Sequence, residues 1–368
     1  MKTFLSLFAC VVILLQITGC SASGVKPEPV PTGVIDADDP DIQYFGRFDR
    51  SNPKHALFDW PGVYICAKFQ GSKCSVRLLR DSSEYAVVVD QHAPRLLTTD
   101  SMSTEFLVAS GLVDSIPHTI MIQKRTETFV GRGTFAGFVL DKGCTLLPPD
   151  KRPDRRIEFI GNSITCAYGV EGDSSTCHFS PQTENANMSY AAMTSRALNA
   201  EYSLVAYSGR GVVRNYGDSN KVSRYPMPSL YDRTCFADST RKWDFSSWIP
   251  QAVVINLGTN DFSTHPYPDS AVFENAYAQL IHRVQGLYPG VEIFCVCGPM
   301  IGEPCWSHIK NVVAREQKGK REKTVFFVGI ERKSLAATDW GCDMHPNVTG
   351  MAKMTDALVA EIRMRMGW

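Results

Sequence analysis

Four short segments carry the side chains that could perform nucleophilic chemistry. They are Ile160-Gly161-Asn162-Ser163-Ile164-Thr165, Tyr207-Ser208-Gly209-Arg210-Gly211, Gly258-Thr259-Asn260-Asp261 and Asp343-Met344-His345-Pro346-Asn347. A serine hydroxyl becomes a good nucleophile when a base takes its proton, and a histidine oriented by a third group is the usual base. Ser163 directly follows a short apolar run, so it can stand at the mouth of a sheet and open a helix, offering both hydroxyl and backbone N–H. The plain alternative is a helix cap. Gly209 lets a backbone N–H approach a ligand closely. Asn260 can point its amide at the same developing oxyanion, although an Asn-Asp pair after a strand is also a common turn. His345 is placed as general base for the Ser163 hydroxyl, with Asp343 on its other ring nitrogen. Each segment alone has a structural reading. Their joint order, Ser, Gly, Asn, His, each after a strand or before the last helix, is what points to acyl transfer.

The elements that must position these residues are legible from periodicity. Over 157–366 short apolar strands at 157–160, 202–206, 252–257, 291–296 and 324–328 alternate with helical stretches near 189–198, 271–287, 308–317 and 348–366. That alternation predicts an α/β domain with a mostly parallel sheet and helices on both faces, its site at the carboxyl ends of the strands. Residues 41–147 read differently. Apolar runs at 63–69, 74–79, 85–89, 105–108, 119–123 and 135–140 are separated by Gly, Asp, Ser or Pro, which predicts an all-β sandwich or jelly roll. The Pro-rich 148–154 is the boundary, so the α/β domain runs 155–368. A linker of about seven residues reaches at most ~25 Å, so the two domains must lie side by side. The β-domain shows no acid–base cluster. It is read as a wall for the cleft in preference to a separate carbohydrate-binding module.

Residues 1–20 have one Lys, an apolar stretch over 4–17, and a terminal Gly19-Cys20. This reads as a secretory signal peptide, and Ile17-Thr18-Gly19-Cys20 resembles a bacterial lipobox with Cys20 as the lipidated residue. The Ser, Gly and Pro of 21–40 read as a tether. The expected location is therefore the cell envelope, with secretion as the alternative, and the membrane is met only through a lipid anchor. Export permits disulfides. Cys66 with Cys74 and Cys166 with Cys177 are candidate pairs, and spacing leaves the connectivity open. Neither Cys295-x-Cys297 nor Cys342-Asp343-x-His345 has zinc spacing.

The 368 residues carry 38 basic and 38 acidic side chains, with 44% hydrophobic and 21% charged. Zero net charge without a basic block argues against a nucleic-acid binder, and the composition argues against extended disorder.

Beyond these readings, Phe159 to Gly169, Ser208-Gly209-Arg210-Gly211-Val212 and Gly341-Cys342-Asp343-Met344-His345-Pro346 resemble the motifs of the SGNH (GDSL-type) hydrolases, and more narrowly of carbohydrate esterase family 2. The domain order resembles that family too. The resemblance implies a serine esterase acting on O-acetyl groups of plant polysaccharides such as xylan or glucomannan. It implies Ser163, His345 and Asp343 as the catalytic set, an oxyanion hole from Ser163, Gly209 and Asn260, and no cofactor or metal. Two departures stand out. Asn162 replaces the Asp of the usual Gly-Asp-Ser block, and Asp343 lies two rather than three residues before His345. Family 2 esterases share the closer spacing, and some lack a working acid. Tyr168, Trp306 and Trp340 are candidate sugar-stacking aromatics. The rival readings are an esterase of bacterial envelope glycans or lipids, and a non-catalytic carbohydrate-binding lipoprotein.

Overall fold

A computed structural model describes residues 33–368, so the signal peptide, Cys20 and most of the tether expected over 21–40 lie outside the described residues. Twelve strands precede Arg155. They are β1 Val34–Asp36, β2 Gln43–Phe45, β3 Asp49–Asn52, β4 His55–Phe58, β5 Tyr64–Gln70, β6 Cys74–Leu78, β7 Glu84–Val89, β8 Arg95–Thr98, β9 Glu105–Ala109, β10 Pro117–Lys124, β11 Gly133–Leu140 and β12 Leu146–Leu147. One sheet has the order β3-β4-β11-β6-β9 with β1 also on β11, and the other has β12-β5-β10-β7-β8 with β2 also on β5. All these pairings are antiparallel. In β5, Ile65, Ala67 and Phe69 are buried while their neighbours are partly or fully exposed, the period of two expected for one core-facing side. The expected runs became β5, β6, β7, β9, β10 and β11. The other strands are four residues or shorter, and β1 recruits residues the sequence assigns to the tether.

The second half holds β13 Arg155–Gly161, β14 Ala200–Ala206, β15 Ala252–Asn256, β16 Glu292–Cys297 and β17 Val325–Gly329, in the order β14-β13-β15-β16-β17, all parallel. The helices are α1 Ser163–Cys166, α2 Tyr190–Ala197, α3 Thr259–Phe262, α4 Ser270–Leu287, α5 Cys305–Gln317 and α6 Val348–Met366. Side chains alternate across the sheet. Val253, Ile255, Ile293 and Cys295 pack with Phe273, Tyr277 and Ile281 of α4 and Ile309 and Val312 of α5. Ala252, Val254, Phe294 and Val296 pack with Tyr190 and Ala191 of α2 and Met351, Met354 and Leu358 of α6. Helices therefore cover both faces, which is why these strands read as unbroken apolar runs.

The β-sandwich is joined to this domain by buried polar groups. Arg47, between β2 and β3, forms an ion pair of 2.9 Å with Glu158 of β13, and both side chains are fully buried. Its other nitrogen donates to the carbonyls of Tyr231 and Arg233, and the Tyr231 hydroxyl donates to Glu158. Trp60 Nε1 donates to the Thr234 carbonyl at 3.0 Å, and the Asp59 carboxylate accepts from the N–H groups of Phe236 and Ala237 at 2.7 and 2.9 Å. Between the domains Lys68 holds Asp150 at 2.7 Å, and Arg152 bonds Glu201 through Nε at 2.9 Å. The contact sites on the second domain belong largely to 207–251, a segment whose one helical element is the short Met227–Ser229 turn.

A buried ion pair that loses one partner leaves an uncompensated charge. Arg47→Met is expected to reduce unfolding free energy by about 3–5 kcal/mol, read as a lowered midpoint in denaturant titration. A loss below about 1 kcal/mol, the size typical of an exposed pair, would mean that water reaches Glu158 and that the pair does not hold the domains together.

Candidate functional site

Parallel pairing sets the site. Gly161, the last residue of β13, is in register with Ala206 of β14 and Asn256 of β15. The three strands therefore release their loops at one level, and Ser163, Gly209 and Asn260 all line a single cavity of about 620 Å³ with Tyr168, Asp343 and His345. Asn162 caps α1, its Oδ1 accepting from the Ile164 N–H at 3.1 Å. A cap needs an acceptor rather than a charge, so Asn serves where the related motif has Asp. α1 is one turn long. What it contributes is the N–H of its first residue, which has no intrahelical acceptor, rather than a long helix's dipole.

The His345 ring reaches Ser163, with Nε2 2.8 Å from Oγ. Its Nδ1 lies 3.1 Å from the main-chain oxygen of Asp343. A carbonyl can only accept, so Nδ1 carries the hydrogen and Nε2 presents a lone pair to the serine hydroxyl. The expected Asp343 carboxylate contact is not formed, and this corrects its place as the acid of a triad. One carboxylate oxygen accepts from the Tyr168 hydroxyl at 2.9 Å and the Phe179 N–H at 3.1 Å, and the other pairs with His178 at 2.9 Å. The physical reason is backbone conformation. Asp343 has φ 51 and Met344 φ 60, two successive left-handed residues that bring the Asp343 carbonyl toward the imidazole.

That conformation is held from outside. A disulfide joins Cys177 to Cys342, the Asp343 N–H donates to the Cys177 carbonyl at 2.8 Å, and the Met344 N–H donates to the Ser175 carbonyl at 3.1 Å. The expected pairings Cys66 with Cys74 and Cys166 with Cys177 are corrected: Cys66, Cys74 and Cys166 are free thiols. Spacing misled because Cys177 and Cys342 are 165 residues apart. Enclosure of the His345 ring pushes its pKa down to about 4, outweighing the carbonyl contacts that raise it. The imidazole is therefore neutral at neutral pH and ready to accept a proton.

Two donors complete the cavity. Gly209 sits at φ 74, which glycine adopts without strain, and Asn260 uses one amide hydrogen on the Arg210 carbonyl at 2.9 Å. The other amide hydrogen is left for the cavity. Sequence reading missed Asp261, a fully buried carboxylate that accepts the N–H groups of Val212, Val213 and Arg214 at 2.9, 2.8 and 2.9 Å. It fastens the turn after Gly209 to α3, and burial pushes its pKa up to about 6. Gly211 answers the same packing, since a Cβ there would lie 2.5 Å from the Asp261 carboxylate and 2.0 Å from the Arg214 carbonyl. Ser208, Tyr216, Ser263 and Met300 also line the cavity unannounced, and Tyr216 is exposed.

Of the candidate stacking aromatics only Tyr168 lines this cavity, and its ring packs on His345 and Phe179 with centroids 4.5 Å away in each case. Trp306 and Trp340 do not. Trp306 packs on Phe327 and donates to the Ile301 carbonyl at 2.9 Å, and buried Trp340 lies under Arg332. They miss the pocket because Trp306, in the first turn of α5, is held against Phe327 of β17 and Trp340 is buried beneath Arg332. One group of metal-like spacing occurs among the described residues: Glu127, Cys166 and Glu184, all buried, with donor atoms within 4.8 Å of one another. Both Glu127 oxygens already accept from Ser208, so that group is not an open ligand set.

Residues 44–149 match the carbohydrate esterase 2 N-terminal family, and residues 159–353 match the GDSL-like lipase/acylhydrolase family. The chain is 39% identical over 341 residues to the cellulase/esterase CelE of Acetivibrio thermocellus, covering 90% of this chain and 40% of that one. It is 26% identical over 344 residues to an acetylxylan esterase / glucomannan deacetylase of Cellvibrio japonicus, covering 92% of each. A solved structure of a family two carbohydrate esterase from Clostridium thermocellum in complex with cellohexaose superposes with a TM-score of 0.82 at 37% identity. It covers 89% of this chain and 99% of that one.

The carbonyl contact survives a change of side chain. Asp343→Asn keeps a residue that tolerates the left-handed region, so turnover of an aryl acetate should stay within about tenfold of wild type, against the ~10⁴ lost when a true triad acid is removed. His345→Ala should lose at least that larger factor. A thousandfold loss in Asp343→Asn would show that the carboxylate acts on the imidazole after all.

Proposed function

Because the chain belongs to the family 2 carbohydrate esterases, we propose that it removes O-acetyl groups from plant cell-wall polysaccharides, acetylated xylan or glucomannan, through an acyl-enzyme on Ser163. The observation that carries this reading is the 2.8 Å contact between a lone-pair-bearing His345 Nε2 and the Ser163 hydroxyl, inside a cavity that also holds two further donors. Ser163 Oγ attacks the acetyl carbon while His345 takes its proton. The tetrahedral oxyanion accepts from the Ser163 and Gly209 N–H groups and the Asn260 amide. The carbon–oxygen bond to the sugar then breaks, and the sugar oxygen leaves with the proton from His345. Water, deprotonated by the same nitrogen, attacks the acetyl-serine, acetate departs and the hydroxyl is restored.

Several features support the substrate class. The cavity wall includes the polar residues Ser208, Thr259 and Ser263, and no long apolar cover for a fatty chain lines it. Relatives of this chain include proteins named acetylxylan esterase / glucomannan deacetylase. The reading includes export, with Cys20 as an envelope anchor. Support comes from the run Met1 to Cys20 and from a Cys177–Cys342 disulfide of the kind that persists outside a reducing cytoplasm.

Acetate release from acetylated xylan and glucomannan, with Ser163→Ala as control, tests the proposal. The variant should lose at least ~10⁴ in kcat. Wild-type enzyme that leaves both polymers acetylated but cleaves acetylated envelope glycans would overturn the substrate assignment. The protonation state adds a second test. Only neutral His345 accepts the serine proton, so kcat/KM should hold as pH falls and drop through about 4, not through the ordinary histidine value of 6.5. An acid limb near 6 would instead place the limiting titration at Asp261, whose pKa is raised to about 6.

A further inference from the structure

Behind the Gly209 turn lies a pair of acids that the esterase reaction does not itself use. Glu127, just past β10, and Glu184, in the loop between α1 and α2, are both fully buried. The Ser208 N–H donates to Glu127 Oε2 at 2.7 Å, and the Ser208 hydroxyl donates to Oε1. The Glu127 N–H donates to Glu184 Oε2 at 3.1 Å. Glu184 Oε1 is buried with no donor in the protein. A carboxylate oxygen of each acid lies within 4.8 Å of the other's and of Cys166 Sγ.

We propose that Glu127 and Glu184 share a single proton, held on Glu184, and that this neutral acid beside a carboxylate positions the Ser208-Gly209 turn whose N–H receives the oxyanion. Two carboxylates so close cannot both remain ionised away from water. Three of the four oxygens already accept a hydrogen bond, and the fourth, Glu184 Oε1, is where a hydrogen removes the deficit. Glu127 must stay ionised to accept twice from Ser208. Two cations lie near, buried Lys124 and, on the cavity side of Glu127, Arg210, but neither donates to a carboxylate oxygen of the pair. Lys124 of β10 spends its hydrogens on the Thr126 carbonyl, Thr126 Oγ1 and the Glu127 carbonyl at 2.5, 3.3 and 3.3 Å. Cys166 from α1, and Tyr168, Tyr207 and Arg210 from the cavity loops, also face the pair, and Asp59 and Asp81 act on Lys124. Burial and the Glu127 charge hold the Glu184 carboxyl well above the usual carboxylate range. Glu127 is a residue of the β-sandwich, so that domain supplies the group that aims an oxyanion donor. It is a positioning residue, and its effect on turnover rests on the reading of Gly209 given above.

Two substitutions and one spectrum test the pair. Glu127→Gln leaves one acceptor where there were two, so the Ser208 N–H and hydroxyl can no longer both donate to it. It should lower kcat on an aryl acetate by about tenfold to a hundredfold, while KM changes less than about twofold if only the transition state is affected. Glu184→Gln carries permanently the donor hydrogens that the acid carries only while protonated, so the alkaline fall of kcat should move to higher pH. Infrared difference spectra of the folded wild-type protein at neutral pH should contain the carbonyl band of a protonated carboxylic acid, absent in Glu184→Gln. That band does not depend on catalysis, so it separates failure of the pair from failure of the esterase reading, which Ser163→Ala tests. The proposal is overturned if the band is missing from wild type, if the two alkaline limbs coincide, or if Glu127→Gln, shown folded by its thermal transition, turns over like wild type.

Discussion

The pairing of β13 with β14 on one side and β15 on the other is the constraint from which the rest follows. Gly161, Ala206 and Asn256 stand in register at the carboxyl end of the sheet. Ser163, Gly209 and Asn260 come from three segments remote in sequence, and only this register brings them to one cavity. A parallel sheet reaches it because each return crosses back over the sheet, three through helices and β14 to β15 through the irregular 207–251 segment, which delivers every strand to the same edge. Shifting one strand by a residue would move a donor by about 3.3 Å, more than a hydrogen bond tolerates.

The loops that leave this edge are irregular, and irregular backbone must be satisfied by partners. Charged side chains supply them. Asp261 collects three successive N–H groups after Gly211, and Glu127 collects the N–H and hydroxyl of Ser208. Arg47 does the reverse, donating to the carbonyls of Tyr231 and Arg233. The β-sandwich thus acts less as a neighbour than as a source of donors and acceptors for the 207–251 segment. This corrects the wall reading of that domain: the cavity lining comes from the α/β half, and the sandwich braces the segment behind it.

Legibility in sequence followed the range of the interactions. Strands and helices of the α/β half were legible to within a few residues, because a fully buried strand reads as an apolar run and a half-buried helix as a period near four. The short strands β3, β4 and β8 were not, since four residues are too few for an alternation to stand out, and β3 and β8 are mostly exposed. Ser163, Gly209, Asn260 and His345 were legible because each follows a strand or precedes a helix whose position was itself clear. The acid partner of His345 was misassigned because a residue's type says nothing about whether its side chain or its main chain faces a neighbour. The Cys177–Cys342 bridge, Glu127 and Asp261 lay beyond reach for one reason. Their partners are distant in the chain, and single-sequence periodicity encodes neighbours in the same element.

A side chain that orients a catalytic histidine can be deleted by one codon change, whereas a main-chain carbonyl cannot. What mutation can damage instead is the path of the loop that carries it. The vulnerable positions are therefore those that hold the path: Cys177 and Cys342, whose bridge pins it, and residue 343 itself, where the left-handed backbone rather than charge limits the choice. Drift at this site should be read as a question of shape, with asparagine or glycine at 343 tolerated and a branched residue refused. The Asp343 side chain, relieved of the imidazole, is free to serve Tyr168 and His178 at the rim of the cavity.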